Sequence, residues 1–206
     1  MIQETYKTIQ SSVQEELKVK GSRFVARAAP VSAKEEAEEK LGRISREFHE
    51  ATHHCFAYRV GIGDGGVDRS SDAGEPAGTA GQPILQVIRG EGLTNILVVV
   101  TRYFGGTKLG IGGLIKAYTT VTQEVLRKAA ILEIPVFHHL ELKTDYAHIS
   151  NVMREINVFE AKLTASDYRE TIQLQVNVPA QKVSDFREAL IDRTGGQIKI
   201  KVVTES

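Results

Sequence analysis

The densest concentration of chemistry-bearing residues is Arg102-Tyr103-Phe104-Gly105-Gly106-Thr107-Lys108-Leu109-Gly110-Ile111-Gly112-Gly113. Glycine permits left-handed backbone and close approach, so successive amides in such a run can point at one anion. A helix is predicted to begin at about Gly113, adding partial positive charge, and Arg102, Lys108 and Lys116 add full charges. A phosphate suits this arrangement, and Tyr103 is placed to stack on a base. The same glycines also suit a tight strand-to-helix turn. Neither standard nucleotide loop is present: no Gly-Lys is followed by Ser or Thr, and Ile115 stands where a dinucleotide fingerprint needs its last glycine.

A second cluster is Thr52-His53-His54-Cys55-Phe56-Ala57-Tyr58-Arg59. Alternation along a strand puts His53 and Cys55 on one face and His54, Phe56 and Tyr58 on the other, so the two histidines cannot share a metal ion. His53 and Cys55 lack a third and fourth ligand, and no metal site is expected. Cys55 in an apolar strand is expected to be an inert core thiol rather than a nucleophile. A third cluster, Ser71 to Pro83, carries Asp72, Glu75 and Thr79. Its carboxylates could serve as an acid–base pair or hold magnesium beside a phosphate, yet Asp, Gly, Pro and Ser are also what turns require. His53, His54, Arg59, Asp72, Glu75 and Thr79 are the candidates for lining a polar groove.

The elements positioning these clusters can be sketched from periodicity. Tyr6 to Val31 reads as extended segments with a turn at Gly21-Ser22. Ser32-Ala33-Lys34-Glu35 forms a capping box for a helix with Ala37, Leu41, Ile44 and Phe48 inward and its glutamates solvated. A strand follows from Thr52 to Val60, and then a long loop from Gly61 to Gly78. Pro83 to Arg89 is apolar but of undecided type. Ile96 to Val100 is a β-branched run typical of a strand buried on both faces. An amphipathic helix follows, with Leu114, Tyr118, Val121, Val125 and Ala129 on one stripe. Past Pro135, strands at 136–143, 158–164, 171–178 and 198–202 alternate with helices marked by Tyr146 to Ile156 and Val183 to Leu190. Ser166-Asp167 is the expected turn between the middle two strands. The order βαββαβ specifies a ferredoxin-like module, with the domain boundary between residues 135 and 136.

Charge is balanced, with 26 basic and 26 acidic side chains, which excludes a global polycation. Between Arg89 and Lys128, however, Arg89, Arg102, Lys108, Lys116, Arg127 and Lys128 face only Glu91 and Glu124, so positive charge gathers around the glycines. Cys55 is the one cysteine, which rules out an internal disulfide. No apolar run reaches the ~18 residues of a membrane span. Met1-Ile2-Gln3-Glu4 lacks the layout of a signal peptide, and a cytoplasmic location is expected.

Lys20-Gly21-Ser22-Arg23-Phe24, His53 to Arg59, Asp72 to Pro83 and Thr101-Arg102-Tyr103-Phe104-Gly105-Gly106 through Tyr118, in this order, resemble the IMPACT/YigZ family along essentially the whole chain. Ala73 and Ala77 depart from it, standing where Asp and Ser are expected. The resemblance implies an α+β protein. Its first domain would have the βαβ fold of ribosomal protein S5 domain 2, and its second would be ferredoxin-like and similar to domain V of elongation factor G. It further implies a non-enzymatic, cofactor-free protein associated with RNA, the ribosome or translation factors, as in the eukaryotic translational regulators. The alternative is an enzyme or binding protein for a phosphorylated small molecule, with Glu75 or His54 as acid–base group.

Overall fold

The computed structural model describes residues 4–203, together with all their side chains except that of Asp64; Met1 to Gln3, part of the segment tested for a leader, lie outside it. The chain forms two compact units, residues 6–134 and residues 135–203 with the stretch 4–5.

The first unit is built on a five-stranded antiparallel sheet. Its strands are β2 (Val13–Val19), β3 (Ser22–Pro30), β4 (His53–Val60), β5 (Val67–Ser71) and β6 (Ile96–Tyr103), in the order β2-β3-β6-β4-β5. β6 lies at the centre because Ile96, Leu97, Val98, Val99 and Val100 are apolar on both faces, and all are fully buried. Each such side chain contributes about 1.5–3 kcal/mol by leaving water. One face is covered by α1 (Lys34–Glu47), whose Ala37 and Ile44 pack on Phe56, Tyr58, Leu97 and Val99. The other is covered by α2 (Gly81–Gly90) and α3 (Gly110–Lys128), which bring Ile84, Ile88, Leu114, Tyr118, Val121 and Val125 against Phe24, Ala26, Cys55, Val98 and Val100. Two short strands, β1 (Thr5–Ile9) and β7 (Ile131–Pro135), pair with each other.

Several local expectations are corrected here. The expected capping box does not form: the N-cap is Ala33, and the Ser32 backbone N–H and hydroxyl both donate to Glu36 rather than the hydroxyl accepting a helix amide. The acidic face of α1 is only partly solvated, because Glu38 accepts the Tyr58 hydroxyl and pairs with Arg69. The stretch from Gly61 to Gly78 is not one loop; it contains β5, hydrogen-bonded along β4. The undecided segment is helix α2, and α3 starts at Gly110 rather than Gly113.

The second unit contains β8 (Phe137–Thr144), α4 (Ile149–Val158), β9 (Lys162–Tyr168), β10 (Ile172–Pro179), α5 (Val183–Arg193) and β11 (Lys199–Val203). This is the expected βαββαβ order, closed as a four-stranded antiparallel sheet β11-β8-β10-β9. Leu140, Leu142, Ile172, Leu174, Val176 and Val178 point to the helices, where they meet Val152, Ile156, Phe186 and Leu190. The opposite sheet face is polar. Ser166 and Asp167 lie within β9, not at its turn, so the reversal falls at Arg169, Glu170 and Thr171.

Candidate functional site

Strand register brings the sequence clusters together. His53 on β4 sits opposite Arg102 on β6, which in turn sits opposite Phe24 on β3. Arg102 follows Val98 and Val100 on the face beneath α2 and α3, so its guanidinium enters the core. There Nη1 donates to Glu75 Oε1 at 2.7 Å, with the two side chains only 6% and 3% exposed. Nη2 donates to the Ser22 hydroxyl at 3.2 Å, while Nε has no partner among the described residues. Tyr118 from α3 donates its hydroxyl to the same Glu75 oxygen at 2.8 Å. The guanidinium therefore neutralises the buried carboxylate and the tyrosine hydroxyl gives it a second hydrogen bond, as a buried charge requires.

Around this pair the other candidates divide. His53 Nδ1 donates to the Ala73 carbonyl at 2.9 Å, which turns Nε2 toward Glu75 Oε2, 3.9 Å away. His54 is on the opposite sheet face beside Thr101 Oγ1, and burial followed by the neighbouring His53 pushes its pKa down. Glu75 and His54, the two candidates for acid–base group, therefore lie on opposite faces of the sheet. The Cys55 thiol lies 2.9 Å from the Asp72 carbonyl, which accepts its hydrogen bond, and 3.2 Å from the Tyr118 hydroxyl. Burial is the largest influence on it and drives its pKa up to about 12, against a partial opposing effect of Tyr118, so the group is a thiol at neutral pH. Arg59 is at the far end of β4, paired with Asp68 and bonded to the Leu93 carbonyl, and does not line the same place. Thr79 is buried, donating its hydroxyl to the Pro76 carbonyl.

Asp72 is not an acid–base partner of Glu75. Its carboxylate accepts the backbone N–H groups of Gly78, Ala80 and Gly81, capping α2 from a loop position. Burial alone would raise its pKa, but these three donors outweigh burial and hold it below the usual aspartate value. Asp72→Ala is expected to cost about 2 kcal/mol at neutral pH. Because the folded carboxyl is depressed, this contribution is complete above the ordinary aspartate value near 3.9 and is lost as pH falls through the folded value. Denaturant unfolding of both proteins from pH 7 to 3 checks this: a gap that did not shrink in acid would remove the carboxylate from the account.

The glycine segment divides as well. Gly105 packs against the β2–β3 turn so tightly that a Cβ there would lie 1.9 Å from the Gly21 carbonyl carbon, and its N–H donates to Ser22 Oγ. Gly106 and Gly110 have positive φ, 83° and 71°, and turn the chain into α3. Gly112 has neither constraint: a Cβ there meets nothing within 4 Å. Phe104, Lys108, Ile111, Ile115 and Lys116 are exposed around this start of α3, and no side chain caps it. Phe104 covers the Arg102 guanidinium at 5.6 Å. Tyr103, expected to stack on a ligand, is instead on the other sheet face under Arg23. Arg102 is likewise an internal counter-ion and not a surface cation. Sequence reasoning assigned neither Tyr118 nor Ser22 to the site, and Tyr118 looks like any other member of an apolar stripe.

Comparison with known proteins bears on this arrangement. Residues 20–126 match the model of the Impact N-terminal domain, which covers the whole Ser22–Glu75–Arg102–Tyr118 cluster. The chain belongs to the IMPACT family. Residues 142–197 match a domain of unknown function, DUF1949. The chain is 46% identical to an IMPACT family member of Thermus thermophilus, over 89% of this chain and 99% of that one. It is 33% identical to IMPACT family member YvyE of Bacillus subtilis, over 96% and 90% of the two chains. Against YigZ of Escherichia coli the identity is 34%, over 91% and 92%. Rabbit protein IMPACT matches over 43% of this chain and 29% of its own length, at 36% identity. A crystal structure described as a hypothetical protein superposes with a TM-score of 0.75 at 32% identity, covering both chains completely. Among the described residues no helix is long and apolar enough to cross a membrane.

Proposed function

We propose that this IMPACT family member is a non-enzymatic binding protein for RNA or the ribosome that works in translation, and that the start of α3 is its contact surface. The observation that carries this reading is the bare first turn Gly110-Ile111-Gly112-Gly113, exposed and uncapped, with Lys108 and Lys116 beside it. Unsatisfied helix amides and two lysines favour a phosphate, and Phe104, 49% exposed, offers a stacking face for an unpaired base. Arg102 serves indirectly, holding Phe104 from below. The family resemblance implies an S5 domain 2 fold for the first unit and a likeness to domain V of elongation factor G for the second, and these favour a ribosomal setting by fold analogy. That setting would place the protein in the cytoplasm.

Anisotropy titrations of the full chain with a single-stranded oligoribonucleotide, across a series of salt concentrations, test this. Binding is expected to weaken steeply with salt, and Lys108→Gln with Lys116→Gln to flatten the log–log slope by roughly 0.7 for each phosphate that is no longer neutralised. An unchanged slope in the double variant, or no binding to RNA or ribosomes at low salt, would sink the reading.

A further inference from the structure

We infer that His53 Nε2 and Glu75 Oε2 form a recognition site for the donor–donor edge of a guanine base, at the mouth of the buried cluster. The inference uses none of Phe104, Lys108 and Lys116, so it goes beyond the reading of α3 and does not depend on it.

The site begins with two acceptors that nothing uses. Arg102 Nη1 and the Tyr118 hydroxyl both donate to Glu75 Oε1, which leaves Oε2 without a hydrogen bond among the described residues. His53 Nε2 faces Oε2 at 3.9 Å, beyond hydrogen-bond distance. The state of the ring follows from its other nitrogen. The Ala73 carbonyl, 2.9 Å from Nδ1, can only accept, so Nδ1 carries the hydrogen and the neutral ring presents a lone pair at Nε2. Two acceptors thus face one gap with no donor between them. For a carboxylate on a side chain only 3% exposed this is uncommon and calls for an explanation.

The gap can be reached from outside. Among the described residues the enclosed side-chain atoms without a partner are Arg102 Nε, Thr144 Oγ1 and Asn177 Oδ1. His53 Nε2 and Glu75 Oε2 make no hydrogen bond either, yet neither is enclosed, so both touch solvent. They also lie on one side of the sheet, because His53 and Arg102 are direct cross-strand partners and Arg102 holds Glu75. The rim is low: Ala73, Gly74, Pro76 and Ala77 are exposed and short. Gly74 has a φ of 90°, and a Cβ there would lie 3.2 Å from His53 Nδ1, so the loop backbone holds the imidazole in place.

Charge and lone pairs select the ligand. Arg102 already cancels the charge of Glu75, so a cation gains little, and two acceptors repel a phosphate or a carbonyl oxygen. A neutral group with two neighbouring N–H donors fits. Among the RNA bases guanine has these, N1–H and an N2 hydrogen side by side on its Watson–Crick edge. Adenine and cytosine place a ring-nitrogen acceptor beside the amino group, and uracil flanks its single N–H with two carbonyl oxygens. Carboxylates accept readily from base amino groups, and unpaired bases are read on this edge. The guanine can belong to a free nucleotide or to an unpaired position in RNA.

The His53 ring nitrogens and the amides of residues 73–75, followed by NMR in the full chain during titration with GMP, IMP, AMP and UMP, test the site. GMP is expected to move them saturably. IMP, which lacks the N2 amino group, should bind roughly 10-fold more weakly, the loss of one hydrogen bond at a charged acceptor, and AMP and UMP should leave Nε2 unmoved. His53→Phe keeps a ring but removes the acceptor and should weaken GMP by roughly 3- to 10-fold. Because that variant also loses the bond to Ala73, the GMP–IMP comparison on the parent protein decides if it does not fold. Saturation by GMP assigns a free nucleotide; a response only to an oligoribonucleotide with one unpaired guanine, weakened when inosine replaces it, assigns RNA. The inference is overturned if neither GMP nor the oligomer moves these resonances, if inosine serves as well as guanosine, or if a folded His53→Phe protein binds as the parent does. It is equally overturned if Nε2 of the free protein carries a hydrogen at neutral pH, since the ring would then donate to Oε2 itself. Salt-sensitive RNA binding that is indifferent to guanine would remove this site and leave the α3 surface standing.

Discussion

Replacing Arg102 by Met is expected to destabilise the first unit by about 3–5 kcal/mol, the typical cost of leaving one partner of a buried ion pair without its counter-charge. Met fills much of the same volume, so the loss reports charge rather than a cavity. Glu75 would keep the Tyr118 hydroxyl but lose the guanidinium 2.7 Å away, at a site where its side chain is 3% exposed. Adding Glu75→Gln to Arg102→Met removes the stranded charge and should recover a large part of the loss. Such non-additivity is expected of groups in one network. Native-state hydrogen exchange at β6 amides measures both variants within the unit concerned. A single variant within about 1 kcal/mol of the parent, well below the range for a broken buried pair, would show that the pair is not what sustains this core.

Gly105→Ala is the second large effect. The obstacle is backbone rather than a side chain that can turn aside: the added Cβ would meet the Gly21 carbonyl carbon at 1.9 Å and its oxygen at 2.1 Å. Either the β2–β3 turn or the end of β6 must move, breaking the hydrogen bonds of the Ser22 hydroxyl with Gly105 and Arg102. A loss of roughly 3 kcal/mol or more is expected, at the upper end of overpacking costs. Gly112→Ala is the internal comparison. Its Cβ meets nothing, and alanine is the better helix former, so a gain of about 0.5–1 kcal/mol is expected there. Thermal unfolding of the pair gives the answer: a Gly105→Ala protein as stable as Gly112→Ala would contradict the close approach of the two backbones.

Legibility in the sequence followed the range over which each feature is encoded. β6 could be read because five successive apolar residues specify burial on both faces, and α1 because its apolar spacing is regular. β5 could not: Val67-Asp68-Arg69-Ser70-Ser71 is a polar edge strand that pairs, among the described residues, with β4 alone, so no buried face leaves a pattern. α2 does have a helical period, with Gln82, Gln86 and Arg89 on its exposed face, but its ten residues cover too few turns to separate it in sequence from a short buried strand. The alternation of His53 and His54 was correctly legible, since it is a property of the strand alone. The partners of Arg102, Asp72 and Tyr118 were not, because each depends on which distant segment arrives. Arg102 is 27 positions from Glu75, and Tyr118 is 43. A charged residue after an apolar strand looks the same in sequence whether it points to solvent or to a carboxylate carried in by another loop.

The central place of β6 also bears on the order in which the sheet can be assembled. β2 and β3 form a hairpin, as do β4 and β5, and both pairs exist in the chain before β6 is made. β3 and β4 do not touch in the finished sheet; each is joined to the other only through β6, with Pro30 opposite Ile96 and His53 opposite Arg102. During synthesis the two hairpins must therefore wait with unpaired inner edges until the chain has been extended through Tyr103. Closing such distant pairings is slow for entropic reasons. The charge that ends β6, Arg102, reaches its carboxylate only in that last step, so ion-pair formation and completion of the sheet are one event.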